Sequence, residues 1–519
     1  MALARTYSVA LTGVAGHVVE VEADIANGLP GMTLVGLPDT ALREARDRIR
    51  AAVVNSGEQW PQRRITIGLS PASLPKRGSW FDLAIAIGIL AAAGSVPRDA
   101  ARGVMCLGEL GLDGRLRPVR GVLPAVAAAA RQGFGTVLVA AQNAAEAALV
   151  PGVAVIAAGS LTAAADWLRG TPGLHDDVAA AAEFDRAAAA ARRPRPDGGG
   201  PDLAEVLGQV MARMALEICA AGGHHLSLLG PPGAGKTMLA ERLPGILPPL
   251  DAADALDVTA VHSVAGMLEP GAPLLTAPPF VAPHHTASKA AIAGGGSGGN
   301  LRPGAASLAH RGVLFLDEAP EFGRDCLDAL RQPLEAGEIV LARSGATARF
   351  PARFTLVLAA NPCPCAKVAG PAEGCSCSAM TRRRYLGRIS GPLLDRVDVK
   401  VELFPVGRKE LLNDKGFAEP SAVVAARVAA ARDRTAKRLT GTPWRLNAEV
   451  PGAELRRTWA PATGALATVE KALERGTISA RGVVKVIRVA WTIADLDDRD
   501  RPGKDECDKA LGLWLGVTR

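Results

Sequence analysis

In Leu226-Ser-Leu-Leu-Gly230-Pro231-Pro232-Gly233-Ala234-Gly235-Lys236-Thr237, continued by MLAERL to Leu243, an apolar run meets a glycine loop and then a helical run. The loop fits G-x-x-x-x-G-K-[ST], and its setting between strand and helix is the one the chemistry requires. Glycines let backbone N–H groups turn inward around phosphates, and the next helix offers its positive end. Lys236 is placed to reach the β and γ phosphates of a nucleotide, and the Thr237 hydroxyl to hold Mg²⁺. This stretch predicts an α/β fold with a parallel sheet and ATP at its carboxyl edge.

Further along the chain, Val313-Leu-Phe-Leu-Asp317-Glu318 supplies the acid half of such a site. Four apolar residues predict a buried parallel strand, and two carboxylates emerge at its end. Asp317 is suited to support Mg²⁺, and Glu318 to orient the attacking water. A third apolar run, Thr355–Ala359, leads to Asn361, a polar group able to bond that water or the γ phosphate. Directly beyond it, Cys363-Pro-Cys365 and Cys375-Ser-Cys377 fall within fifteen residues. Four thiolates on a Gly/Pro-rich loop favour a closed structural Zn²⁺ site. An Fe–S site, a redox pair and reduced thiols packing a loop are the alternatives.

The rest of the 519 residues divides around these motifs. Residues 171–201 are punctuated by Pro and Gly (GTPGLHDD, RRPRPDGGGPD) and read as a linker. Before it, residues 1–170 alternate β-like runs (Val18–Val21, Arg64–Leu69, Thr136–Ala140, Val153–Ala157) with helical ones (Thr40–Ser56, Asp82–Ala93, Leu123–Gln132), which predicts a mixed α/β domain. After it come the nucleotide unit, 202–405, opening on a predicted helix Leu203–Ala220, and a helical domain, 406–519. Apolar residues at 48% and charged residues at 21% exclude global disorder. Lys plus Arg exceed Asp plus Glu by 59 − 52 = 7, a mild basic excess that permits a nucleic-acid partner without requiring one. The longest apolar stretch, Leu83–Gly94, has 12 residues against the ~20 that cross a bilayer, so no membrane span and a cytoplasmic location are expected.

Taken together, GPPGAGKT, APHHTASKAA (282–291), LRPGAASLAHRGVLFLDEAPEF (301–322), LVLAANPCPC (356–365) and RISGPLLDRVD (388–398) resemble the YifB/ComM group of magnesium-chelatase-like AAA+ ATPases. The resemblance implies a three-layer α/β/α AAA+ domain followed by a helical lid. It implies an arginine finger at Arg396, supplied to a neighbour's γ phosphate, and a second sensor at Arg481. A finger acting in trans requires a ring, in this family a homo-hexamer. In the related clade the insertion holding APHHTASKAA points into the central pore, which makes His284, His285 and Lys289, with Arg343 in a hairpin expected around Ala342–Phe350, candidates for contacting a threaded polymer; the alternative for the histidine pair is local capping or packing. The chain departs from the pattern at Ala305, where Glu is expected, and at Ala319. The function implied is an ATP-driven motor on single-stranded or branched DNA that drives branch migration. The alternatives are a motor subunit of a chelatase inserting Mg or Co into a tetrapyrrole, and a protein-remodelling ring.

Upstream, PKRGSWFDLAIAIGIL (75–90) and LGELGLDGRLRPVRGVLPAV (107–126) resemble the Lon-protease-like domain of the same group. Aligning the pattern puts Trp80 near the expected Ser nucleophile and Pro124 near the expected Lys base. A Ser79–Lys76 pair is too close in sequence to copy that geometry, so proteolysis is not expected.

Overall fold

The computed structural model describes residues 2–517 except 37–39, 75, 77, 172–199, 270, 297–300, 344–345, 366–374, 408–413 and 415–417. Most of the linker read at 171–201 therefore lies outside the described residues.

The first unit is a seven-stranded mixed sheet. Its strands are β1 (Ala2–Thr12), β2 (Ala15–Ala26), β3 (Gly31–Val35), β4 (Arg64–Ser70), β5 (Met105–Leu107), β6 (Thr136–Ala140) and β7 (Ala154–Ala158), in the order β3-β4-β2-β1-β5-β6-β7. The long β1–β2 hairpin is antiparallel, whereas β1, β5, β6 and β7 pair in parallel. Helices α1 (Thr40–Asn55), α2 (Asp82–Ala93) and α3 (Val122–Arg131) connect them. Every residue of α2 except Ala93 is buried, so its apolar run is core rather than membrane. No helix among the described residues is long and apolar enough to cross a membrane. Asp82 opens α2 fully buried, in an ion pair with Arg48 at 2.7 Å and accepting from the Leu110 N–H at 3.2 Å.

In the second unit, α4 (Val210–Gly222) leads into β8 (Leu226–Leu229), the phosphate loop and α5 (Lys236–Arg242). Then come α6 (Ala252–Ala265), β9 (Phe280–Val281), β10 (Val313–Leu316), the antiparallel hairpin β11 (Glu338–Arg343) with β12 (Ala346–Pro351), β13 (Thr355–Ala360) and β14 (Val399–Glu402). The sheet is wholly parallel, in the order β9-β10-β13-β8-β14. Burial of VLFL and of Leu356–Ala360 follows from helices covering both faces. One prediction is corrected: the helix read over Leu203–Ala220 is a short 3-10 turn, Leu203–Glu205, and α4 starts only at Val210. Gly208 interrupts it at φ +74°, and a Cβ there would lie 2.1 Å from Val406, so only glycine fits the turn.

The third unit is helical, with α7 (Ser421–Arg438), α8 (Ala480–Leu496) and α9 (Lys504–Leu515). It shares one hydrophobic core with the second unit: Val428, Val486, Val489 and Trp514 pack with Leu216, Leu226 and Leu228. The first unit also docks on the second. Ser263 of α6 donates a hydrogen bond to half-buried Glu146, and Gly13, in the β1–β2 turn, bridges to Arg349 of the hairpin. The hairpin read as polymer-facing is thus anchored against the first unit by Phe350 and Ala348 packing on Val14.

Candidate nucleotide site

The site forms where β8, β10 and β13 end side by side. Gly233 and Gly235 take φ +77° and +90°, a region open to glycine, and this lets the loop curl back over α5. Lys236, 8% exposed, donates to the carbonyls of Gly230 (2.7 Å) and Pro231 (2.9 Å) and to Asn361 Oδ1 (2.9 Å). Burial lowers its pKa, opposed by the negative charges of Asp317 and Glu318. Thr237 donates to Asp317 Oδ2 at 2.8 Å, which gathers two hard oxygen ligands of the kind Mg²⁺ prefers. Glu318 stands at φ +51°, a left-handed conformation rare outside glycine and asparagine, and its N–H donates to Asp317 Oδ1 at 2.9 Å.

Residues 282–285 leave β9 at the same edge, so His284 and His285 line the cleft with Thr237, Asp317 and Glu318. His285 Nδ1 is 3.5 Å from Glu318 Oε2, and the two histidine rings lie 4.2 Å apart. Strands β9 and β10 are parallel neighbours, so the segments leaving their carboxyl ends meet at one edge. Lys289 is exposed at the start of the short helix Lys289–Ala293. Arg343 ends β11, and its side chain lies outside the described residues.

Gln209 was missed by sequence reading. It is 9% exposed, and its amide donates to the carbonyls of Ala234 in the phosphate loop (3.1 Å) and Phe404 (2.9 Å). The signal was the Gly208 that breaks the helical run.

Arg396 lies elsewhere. It precedes β14, which pairs in parallel with β8 in the register Leu226↔Val399, whereas the phosphate loop extends from the other end of β8. Four strand residues separate the two edges by about 13 Å. Within the chain the Arg396 guanidinium pairs with Glu335 and donates to the Pro392 carbonyl. Arg481 is exposed near the start of α8.

The four cysteines converge. Sulfur–sulfur distances are 3.0 Å (Cys363–Cys365), 3.4 Å (Cys365–Cys375) and 3.2 Å (Cys375–Cys363), and all four sulfurs, Cys377 included, lie within 4.8 Å of one another. Tetrahedral Zn–S bonds of about 2.3 Å put sulfurs about 3.8 Å apart, so the donor set fits that ion. Hydrogen bonding with Cys363 and with the Cys377 backbone pulls the Cys375 thiol down to about 6. Beyond the cluster, the Ser378 hydroxyl caps helix Ala379–Leu386, on which Arg382, Arg383 and Arg384 are all exposed. Among the described residues none of these three has a carboxylate at ion-pair distance, whereas Arg388 pairs with Glu321 at 2.8 Å.

In the first unit, Ser79 donates to Glu109 and fully buried Lys76 donates to the Pro71 carbonyl, so each is committed to a different partner.

Three family models match the chain: "Magnesium chelatase, subunit ChlI" over 202–411, "Subunit ChlI of Mg-chelatase" over 21–143, and "Magnesium chelatase, subunit ChlI C-terminal" over 418–513. An uncharacterized protein of Mycobacterium tuberculosis is 53% identical over 513 residues, covering 99% of both chains. Competence protein ComM of Haemophilus influenzae is 40% identical over 514 residues, 99% of this chain and 97% of its own. YifB of Escherichia coli is 40% identical over 506 residues, 96% of this chain and 94% of its own.

Proposed function

The chain belongs to the YifB/ComM family of magnesium-chelatase-like ATPases, and on that footing we propose a homo-hexameric, ATP-driven motor on branched DNA that promotes branch migration. The observation that carries this reading is the end-to-end match to a competence protein, joined to a complete set of nucleotide-handling residues. Lys236 and the loop amides bind the triphosphate. Thr237 and Asp317 would hold Mg²⁺, which neutralises phosphate charge when bound. Glu318 orients the attacking water and accepts its proton, with His285 beside it, while Asn361 fixes Lys236. Arg396 sits at the sheet edge away from its own loop, so it serves the γ phosphate of an adjacent subunit, and Arg481 serves as the second sensor. Cys363, Cys365, Cys375 and Cys377 would hold Zn²⁺ and so brace the strand end that carries Asn361. The exposed Arg382–Arg384 run, with Lys289, suits a phosphate backbone.

A second reading, a chelatase motor subunit, draws on the names of the three matching models. ATP hydrolysis measured with four-way-junction DNA separates the two. The expected result is a rate increase of several-fold together with conversion of the labelled junction to duplex products. Hydrolysis indifferent to DNA, with the junction left intact, overturns the DNA reading.

A further inference from the structure

The turn that carries Arg396 is held from two sides. It runs from the short helix Gly391–Leu394 to Asp398, the residue before β14. From the sheet side, the N–H groups of Asp398 and Val399 donate to the His225 carbonyl at 3.1 and 3.0 Å, and the His225 N–H donates to Asp398 Oδ2 at 2.9 Å. The other anchor comes from the helical unit. Lys485 of α8 places Nζ 2.6 Å from Asp398 Oδ1 and donates to the carbonyl of Arg396 itself at 3.2 Å.

Asp398 is 1% exposed and the Lys485 side chain 14%. Burial works to raise the Asp398 pKa, but Lys485, His224 and His225 outweigh it and hold the carboxyl at about 2. Arg488, the next cation along α8, is occupied elsewhere, donating to the Val450 carbonyl at 2.8 Å. Lys485 is therefore the cation that joins α8 to this turn. It also stands four residues beyond Arg481, and residues four apart share one face of a helix. A rigid shift of α8 that moves Arg481 must move Lys485, and with it the backbone of Arg396.

We propose that Lys485 is a positioning residue that couples the helical unit to the arginine turn, so that movement of α8 in one subunit sets Arg396 for the ATP site of the next. The inference rests on the reading of Arg396 as a finger used in trans. Lys485 touches no nucleotide in this scheme. It acts by fixing the Arg396 main chain through the carbonyl and through Asp398.

The test is a double-mutant cycle on DNA-stimulated hydrolysis by the full chain, because residues acting through one another are not additive. Lys485→Met should lower kcat at least ten-fold while KM for ATP changes less than two-fold, since the phosphate loop is untouched. Lys485→Arg should recover most of the rate. The cycle is run on Arg396→Lys, whose shorter cation leaves a measurable rate. Adding Lys485→Met to it should cost less than two-fold. Thermal melting controls for folding. Should Lys485→Met unfold, Lys485→Gln, which keeps a donor and loses the charge, takes its place in the same cycle. A wild-type kcat for the Lys485 variant, or a full multiplicative loss in the double variant, overturns the inference and leaves the finger reading standing. Wild-type hydrolysis by Arg396→Ala sinks the finger reading itself, and this inference with it.

Discussion

At the scale of single residues, the proposed function divides the work of one cleft between Lys236 and Glu318, and substitution should separate them. Lys236→Ala removes the cation that bridges Gly230, Pro231 and Asn361, so nucleotide affinity should fall below detection. Glu318→Gln keeps the loop intact and removes only the base, so ATP should bind within a few-fold of wild type. Its hydrolysis should drop by about two to four orders of magnitude, the usual worth of a general base. Nucleotide binding by fluorescence anisotropy and phosphate release measure the two quantities, and equal loss of affinity in both variants would contradict the assignment. Lys236 was legible because strand, loop and helix are contiguous in sequence, and Glu318 because it follows directly on a separate apolar run, Val313–Leu316. His285 was legible only as an unusual residue: its place beside Glu318 depends on β9 and β10 being neighbours, which the order of the chain does not disclose. Lys485 and Asp398 were not legible at all, since lysines and aspartates are common and only the fold brings these two together.

At the scale of elements, strands read well and helix ends less well. VLFL and the LVLAA of Leu356–Ala360 declare buried parallel strands by unbroken apolar runs, and LSLL, interrupted by Ser227, is placed by the glycine loop that follows it. The break at Gly208 is invisible to periodicity because its cause is Val406, on a distant segment. The same sheet is pinned by buried imidazoles. His225 Nδ1 accepts from the Leu356 N–H at 3.1 Å, and His310 Nδ1 from the Arg353 N–H at 3.0 Å. Burial lowers His224 and His225 to about 4 and His310 to about 3, below the 6.5 of a free ring. Between those values the unfolded chain binds protons that the folded chain does not, so stability is present above pH 6.5 and is lost as pH falls toward 4. The loss can reach about 1.4 kcal/mol per pH unit for each such ring. Melting temperatures at pH 7.5, 6.0 and 5.0 should fall in that order, and a flat profile would show that these rings protonate freely in the folded state.

At the scale of the whole molecule, metal analysis tests the cysteine site. Purified under thiol protection, the full chain should carry about one zinc, and replacing Cys363 and Cys375 together by Ser should release it. Iron, or no metal, refutes the zinc assignment. The docking of the first unit on the second was not legible in the sequence, because Gly13–Arg349 and Ser263–Glu146 are pairings of otherwise ordinary residues. The parallel sheet also has a bearing on inheritance, because it sends the phosphate loop to one edge and Arg396 to the other. In an assembly of the proposed kind, each chain owns one reaction centre and completes a second. An inherited Glu318 lesion would silence the centre its bearer owns, whereas an Arg396 lesion would silence its neighbour's. In a cell that makes both healthy and altered copies, either allele would be dominant, with the damage falling on opposite sides of the altered chain.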